Sequence, residues 1–398
     1  MKRINNLLIN KKAILILVGL VVVLATLQSY IGSMKTFPGS EILYTSYNNY
    51  LIFKQSFFHL IDQKDLYILY PQEQWDLYKY SPAFALLFAP LASIPDLLGL
   101  LLWNAMNAFV LFLAVYSLPH FSLRTKGLVL LFVLIELLTS LQNEQSNGLM
   151  AGLMILSFGM LERRRYWLAS LCLVASIFIK LFGIVGLALY LFYPNKWKLT
   201  YTTGSWVLLF ASMPLLVVSW DQLLFLYQSW GYLLANDHSI SDGLSVIGWL
   251  KTWFGFQPDK TIVSLIGVLI FCLPLALLKK YQVYTFRLLM LASVLLWVVI
   301  FNHRAESPTF IIAISGVALW YYGQSRSAVN FSLLILALIF TILSPTDIFP
   351  GFVRSEWFQP YVVKAVPCIL IWIKLTYDLV LGTMAPRVES SETNGSSS

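Results

Sequence analysis

The apolar runs constrain this chain before anything else does. Residues 13–31 pass nineteen positions without a charged side chain. Eleven further apolar runs follow, near 97–118, 127–141, 147–161, 167–179, 181–193, 200–219, 261–278, 286–302, 308–322, 329–344 and 362–382. A straight helical span of a bilayer takes about 20 residues. The shorter runs suit helices that are broken or shielded by protein. Only 12% of the 398 residues are charged, about half the share of a soluble domain. The expectation is an all-α polytopic membrane protein, a bundle of about 12 transmembrane helices. Residues 1–383 would form one domain. The tail from 384 to 398, "VESSETNGSSS" at its end, has a disordered composition. The first run lacks a small-x-small cleavage signature and reads as a retained helix.

The cations sort the loops into two sides. Arg124 and Lys126, Arg163 to Arg165, Lys196 and Lys198, Lys279, Lys280 and Arg287, and Arg326 fall on one alternating set of short loops. The positive-inside rule makes that set cytoplasmic and leaves both termini inside. The net charge of +8 is therefore distributed as topology requires, in no single stripe, and nucleic-acid binding is excluded. Cys172, Cys272 and Cys368 lie inside apolar runs with no metal-ligand spacing, so no metal site is expected. No phosphate-binding glycine loop of an ATP-driven pump is present.

The outer loops are longer and aromatic. Loops 32–96 and 220–260 are expected to form part of the site, because long structureless loops are uncommon without a function. Within the first, "NNYLIFKQSFFHLI" has helical spacing and reads as an amphipathic helix along the outer face. "SPAFALLFAPLASIPD" carries Pro82, Pro90 and Pro95 and reads as a bent, re-entrant element.

Ionisable groups at membrane depth mark function, and five outer clusters carry them. Loop 41–79 holds Asn48, Asn49, Asp62 and Lys79. "SLQNEQSNG" packs Glu144, Gln145 and Asn147 into a turn that needs far fewer polar groups. Lys180 is a lone cation between two apolar runs. "NDHSISDG" contributes Asn236, His238 and Ser239. "NHRAESPTF" sets His303, Arg304 and Glu306 between two apolar helices. A guanidinium holds phosphate bidentately, amides match sugar hydroxyls, and a carboxylate removes a proton. Together they fit sugar transfer from a lipid phosphate to a hydroxyl. A lipid-linked glycan flippase is the alternative, and it would want polar groups on both membrane sides.

Several stretches resemble glycosyltransferase family 87. "YKYSPAFALLFAPLASIPDLLGLLLWNAMN" is similar to its N-terminal pattern through Tyr80, Pro82, Pro90, Pro95, Trp103 and Asn107. "NEQSNG" resembles its Gln-x-Asn element, "IFIKLFGIVG" its lysine segment, "ANDHSISDG" its Asn-x-Ser loop and "HRAESPTF" its Ser-Pro segment. The resemblance runs from about residue 10 to residue 375. It implies a GT-C-like membrane fold and a hexose, typically mannose, carried by a polyprenyl-phosphate donor that serves as substrate, with no cofactor. The acceptor would be a glycolipid or envelope-glycan hydroxyl, at the outer leaflet of a bacterial-type plasma (inner) membrane. Lys180, Arg304, His303 and Lys79 would meet the donor phosphate. Asn48, Asn49, Tyr80, Gln145, Asn147, Asn236, His238 and Ser239 would meet sugar or acceptor. The family's first-loop aspartate is replaced here by "TSYNNY", with Ser46, Asn48 and Asn49. An amide is no base, so Glu144, Glu306 or Asp62 would take that role. A catalytically inactive binding member of the family is the remaining alternative.

Overall fold

The computed structural model describes residues 8–37, 41–236 and 241–382. The expected tail at 384–398, together with His238 and Ser239, lies outside the described residues. All regular elements among the described residues are helical. Four helices are long and apolar enough to cross a membrane: Lys11–Ile31, Asp96–Ser117, Leu123–Gln142 and Lys196–Leu216. Seven shorter apolar helices accompany them. The chain is thus an all-helical membrane protein.

Helix α1 (Lys11–Ile31) starts where the Asn10 side chain accepts the Lys12 and Ala13 N–H groups. The amphipathic stretch forms α2 (Asn48–Ile61). The proline-rich stretch forms two short helices, α3 (Pro82–Leu87) and α4 (Ala89–Ala92), which meet at Phe88. Ser81 caps α3, and Pro82 occupies its first position. Helices α5 (Asp96–Ser117), α6 (Leu123–Gln142), α7 (Asn147–Glu162) and α8 (Tyr166–Ile179) follow as hairpins. Gly148, Gly152 and Gly159 of α7 face α5. A Cβ at Gly152 would stand 2.8 Å from the Leu111 backbone nitrogen, so only glycine allows this approach.

The run after Lys180 departs from the α-helix. Leu181–Phe192 is a twelve-residue 3-10 helix, far longer than the usual 3–4 residues of that form. It doubles back on α8, where a Cβ at Gly183 would stand 2.6 Å from Ser176 Oγ and one at Gly186 2.5 Å from Leu173 Cδ1. The tight turn between the two elements is Lys180 itself.

After α9 (Lys196–Ser212) the chain continues through α10 (Trp220–Asn236), α11 (Val246–Phe254) and α12 (Lys260–Cys272). The centre is built by α13 (Tyr284–Ile300) and α14 (Phe310–Tyr322), which are buried on nearly every side. Helices apolar all round belong in such a position. Between them runs the turn 301–309. The chain ends its described part with α15 (Ala328–Leu336) and α16 (Val366–Leu381).

One buried ion pair braces that central turn. Lys364 Nζ donates to Glu136 Oε1 of α6 at 2.8 Å and to Ser307 Oγ at 2.9 Å. The same ammonium lies 5.4 Å from the Phe310 ring centroid. Glu136 reads in the sequence as an isolated acid in an apolar run. Its partner arrives from a segment 228 residues away.

Candidate active site

A cavity of about 560 Å³ opens where the first loop, the α6–α7 turn, the Lys180 break and turn 301–309 converge. Its lining contains Asn48, Asn49, Lys79, Tyr80, Glu144, Gln145, Lys180, Arg304 and Glu306. Three of the five clusters singled out by polarity therefore join part of the first loop in one place. Lys35 and Asp76 also line it.

A chain of hydrogen bonds connects three of these clusters. Lys180 Nζ donates to Asn147 Oδ1 at 2.6 Å. Asn147 Nδ2 donates to Gln145 Oε1 at 2.7 Å and to the Pro308 carbonyl at 3.0 Å. Gln145 Nε2 donates to Glu306 Oε2 at 3.0 Å. Asn147 itself is fully buried behind the lining, so it positions Lys180 and Gln145. The Lys180 ammonium also sits 5.8 Å from the Tyr80 ring and 5.9 Å from the Phe182 ring. Ser81 fixes that neighbourhood by donating to the Phe178 carbonyl at 2.6 Å, two residues before Lys180.

The polar residues of "TSYNNY" act as struts. Ser46 donates to the Ser29 carbonyl at the end of α1. Asn48 grips the backbone of Trp75 from both sides: its Nδ2 donates to the Trp75 carbonyl at 2.8 Å, and its Oδ1 accepts the Trp75 N–H at 2.9 Å. Asn49 Nδ2 donates to the Asn143 carbonyl at 2.9 Å. Three walls of the cavity are tied together by these side chains.

The acids differ in state. Glu144 is 1% exposed and adopts a left-handed backbone, φ 49°. The Trp103 indole donates to its carbonyl at 2.6 Å. Burial pushes its carboxyl up to about 8, against the smaller opposing effects of the Ser29 hydroxyl and the Lys35 charge. Its Oε1 meets no hydrogen-bond partner among the described residues. A neutral acid in this position donates a hydrogen bond. Glu306 is an N-cap. Its carboxylate accepts the Thr309 N–H as part of a capping box, in addition to the Gln145 bond.

The other expected residues lie elsewhere. Asp62 is at the surface end of α2, 3.1 Å from Lys64, and does not line the cavity. The Asn236 amide donates to the Tyr232 carbonyl of its own helix. His303 stands between the lining residues Asn302 and Arg304 without joining the lining. Lys35 carries no signal in the sequence, and Asp76 belongs to the polar cluster 41–79 without a role that the sequence assigns. Asp76 had one signal, its place in "DLYKYSP" before the cavity residues Lys79 and Tyr80. Among the described residues no group of three or more His, Cys, Asp and Glu side chains is placed to hold a metal ion.

The sequence model of glycosyltransferase family 87 matches residues 78–301. The chain belongs to glycosyltransferase family 87. It is accordingly a membrane glycosyltransferase, and the match begins at Tyr78, between the lining residues Leu77 and Lys79. No curated protein matches the sequence. The family member described here carries four lining cations, Lys35, Lys79, Lys180 and Arg304, against three lining carboxylates, Asp76, Glu144 and Glu306. That excess suits an anionic substrate.

Proposed function

We propose that the protein transfers a hexose, with mannose the first candidate, from a polyprenyl-phosphate donor to a hydroxyl of a glycolipid or envelope glycan. The supporting observation is the chain Lys180–Asn147–Gln145–Glu306 within a cation-rich cavity. A partly buried ammonium favours an anion, and a lipid phosphate supplies one at the depth of a helix break. Lys180, Arg304 and Lys79 take the phosphate, with His303 beside them. Gln145, Asn49 and Tyr80 face the sugar, and neutral Glu144 donates to one of its oxygens.

The reading also has a side. Helix α6 starts next to Arg124 and Lys126 and ends at Gln142 on the cavity. Twenty helical residues cover about 30 Å, so the basic loops and the cavity lie at opposite ends. The positive-inside rule then turns the cavity outward, with about twelve spanning segments, α2 on the outer face, and a re-entrant α3–α4. A bacterial-type plasma membrane provides such a donor at its outer leaflet.

Purified protein in nanodiscs, given labelled polyprenyl-phosphate mannose or glucose and a lipid extract, should form a labelled glycolipid. Lys180→Met should weaken donor binding on native mass spectrometry. Absence of both transfer and donor binding by the wild type would overturn the proposal.

A further inference from the structure

Resting on that reading, we propose that Asp76 is the base that takes the acceptor proton, and that Asn48 is the residue that positions it. Three carboxylates line the cavity among the described residues. Glu144 lines the cavity with only 1% of its surface exposed, and burial keeps its proton on at neutral pH. Glu306 caps the 3-10 turn before α14 and is bound by Gln145, on the wall that carries Lys180. Taking a proton there would loosen both the cap and the chain that places the phosphate-binding ammonium.

Asp76 differs in each respect. Its side chain is about half exposed (52%) within the cavity mouth. It belongs to the first-loop wall rather than to the Lys180 wall. Its backbone is left-handed, φ 78°, a conformation that a residue other than glycine keeps only when its surroundings impose it. The surroundings here are the two Asn48 bonds to Trp75, immediately before it. Its own Oδ1 accepts the Leu77 N–H at 2.7 Å, and Lys79 Nζ lies 3.1 Å from Oδ1 and 3.3 Å from Oδ2, which leaves a lone pair of Oδ2 open to an incoming hydroxyl. Asn48 thus holds an acid at the edge of the cavity that it lines itself.

The step balances as an in-line displacement. The acceptor oxygen forms a bond to the sugar's anomeric carbon while the bond from that carbon to the phosphate oxygen breaks. The bonding pair leaves with the polyprenyl phosphate. The acceptor proton passes to the Asp76 carboxylate and from there to water at the open mouth.

The test compares wild type, Asp76→Asn, Glu306→Gln and Asn48→Ala for steady-state transfer and for donor binding by native mass spectrometry. Thermal unfolding serves as the check on folding. Asp76→Asn should lose about a thousandfold in kcat, within the range by which a general base accelerates transfer, and keep donor binding within about fivefold. Asn48→Ala should lose kcat with donor KM unchanged, a split that general loosening of the fold would not produce. Glu306→Gln should instead weaken donor binding, because the Glu306 carboxylate anchors the chain that places Lys180. Asp76→Asn activity above about a tenth of wild type would overturn this inference and leave the transferase reading standing. A wild type without transfer would overturn that reading, and this one with it.

Discussion

The buried pair behind the active-site turn yields the sharpest quantitative expectation. Lys364 and Glu136 have side chains 6% and 0% exposed. Lys364→Met removes the 2.8 Å bond to Glu136, the 2.9 Å bond to Ser307 and the cation above Phe310. What remains is a buried carboxyl whose second oxygen already has no hydrogen-bond partner among the described residues. Breaking one side of such a pair costs about 3–5 kcal/mol, more than a hundredfold in the folded-to-unfolded ratio. Removing both sides costs far less, because the desolvation of each charge disappears with it. Glu136→Leu combined with Lys364→Met should therefore lie within about 1 kcal/mol of wild type, or above it. Unfolding in mixed micelles, followed by tryptophan fluorescence, gives the comparison. The folded double variant should still lose about fivefold in kcat/KM, since Ser307 is released beside Glu306 and one hydrogen bond is worth about 1 kcal/mol. A single variant as stable as wild type, or a double variant no better than the single, would refute the reasoning.

Other expectations concern the cavity and the helix contacts. Asn147→Ala removes the acceptor of Lys180 and should weaken donor binding about 10- to 100-fold, the value of a charge-assisted bond of about 1.5–3 kcal/mol. An unchanged donor Kd would show that Lys180 needs no such support. Wild-type activity should fall above pH about 8, where the raised carboxyl of Glu144 finally ionises and places a negative charge near the donor phosphate. Glu144→Gln should reduce that alkaline fall without abolishing it, as measured by initial rates between about pH 7 and 9, because Lys180, which burial lowers to about 8, loses its proton over the same range. Gly152→Val should destabilise the protein by about 1–3 kcal/mol or more, because its Cβ meets backbone atoms of α5 rather than a flexible side chain.

The sequence by itself determined where the helices lie. Apolar runs at 97–118, 127–141 and 286–302 became α5, α6 and α13 within a few residues, because apolar side chains and internally satisfied backbone leave little choice in lipid. It also marked part of the cavity's lining, since Glu144, Gln145, Lys180, Arg304 and Glu306 are too polar for their surroundings. Only the tertiary structure decided what these groups do. Glu144 is neutral rather than basic because neighbouring helices bury it, and burial is a property of packing. Asn147 serves as a joint because Lys180 reaches it from 33 residues away. The 3-10 form of 181–192 and the two glycines it presses against α8 are invisible to hydropathy. "TSYNNY", an absence when read along the chain, became a set of struts once Trp75 and Asn143 were folded against it. An amide's role depends on which backbone it meets, and that partner is chosen by the fold.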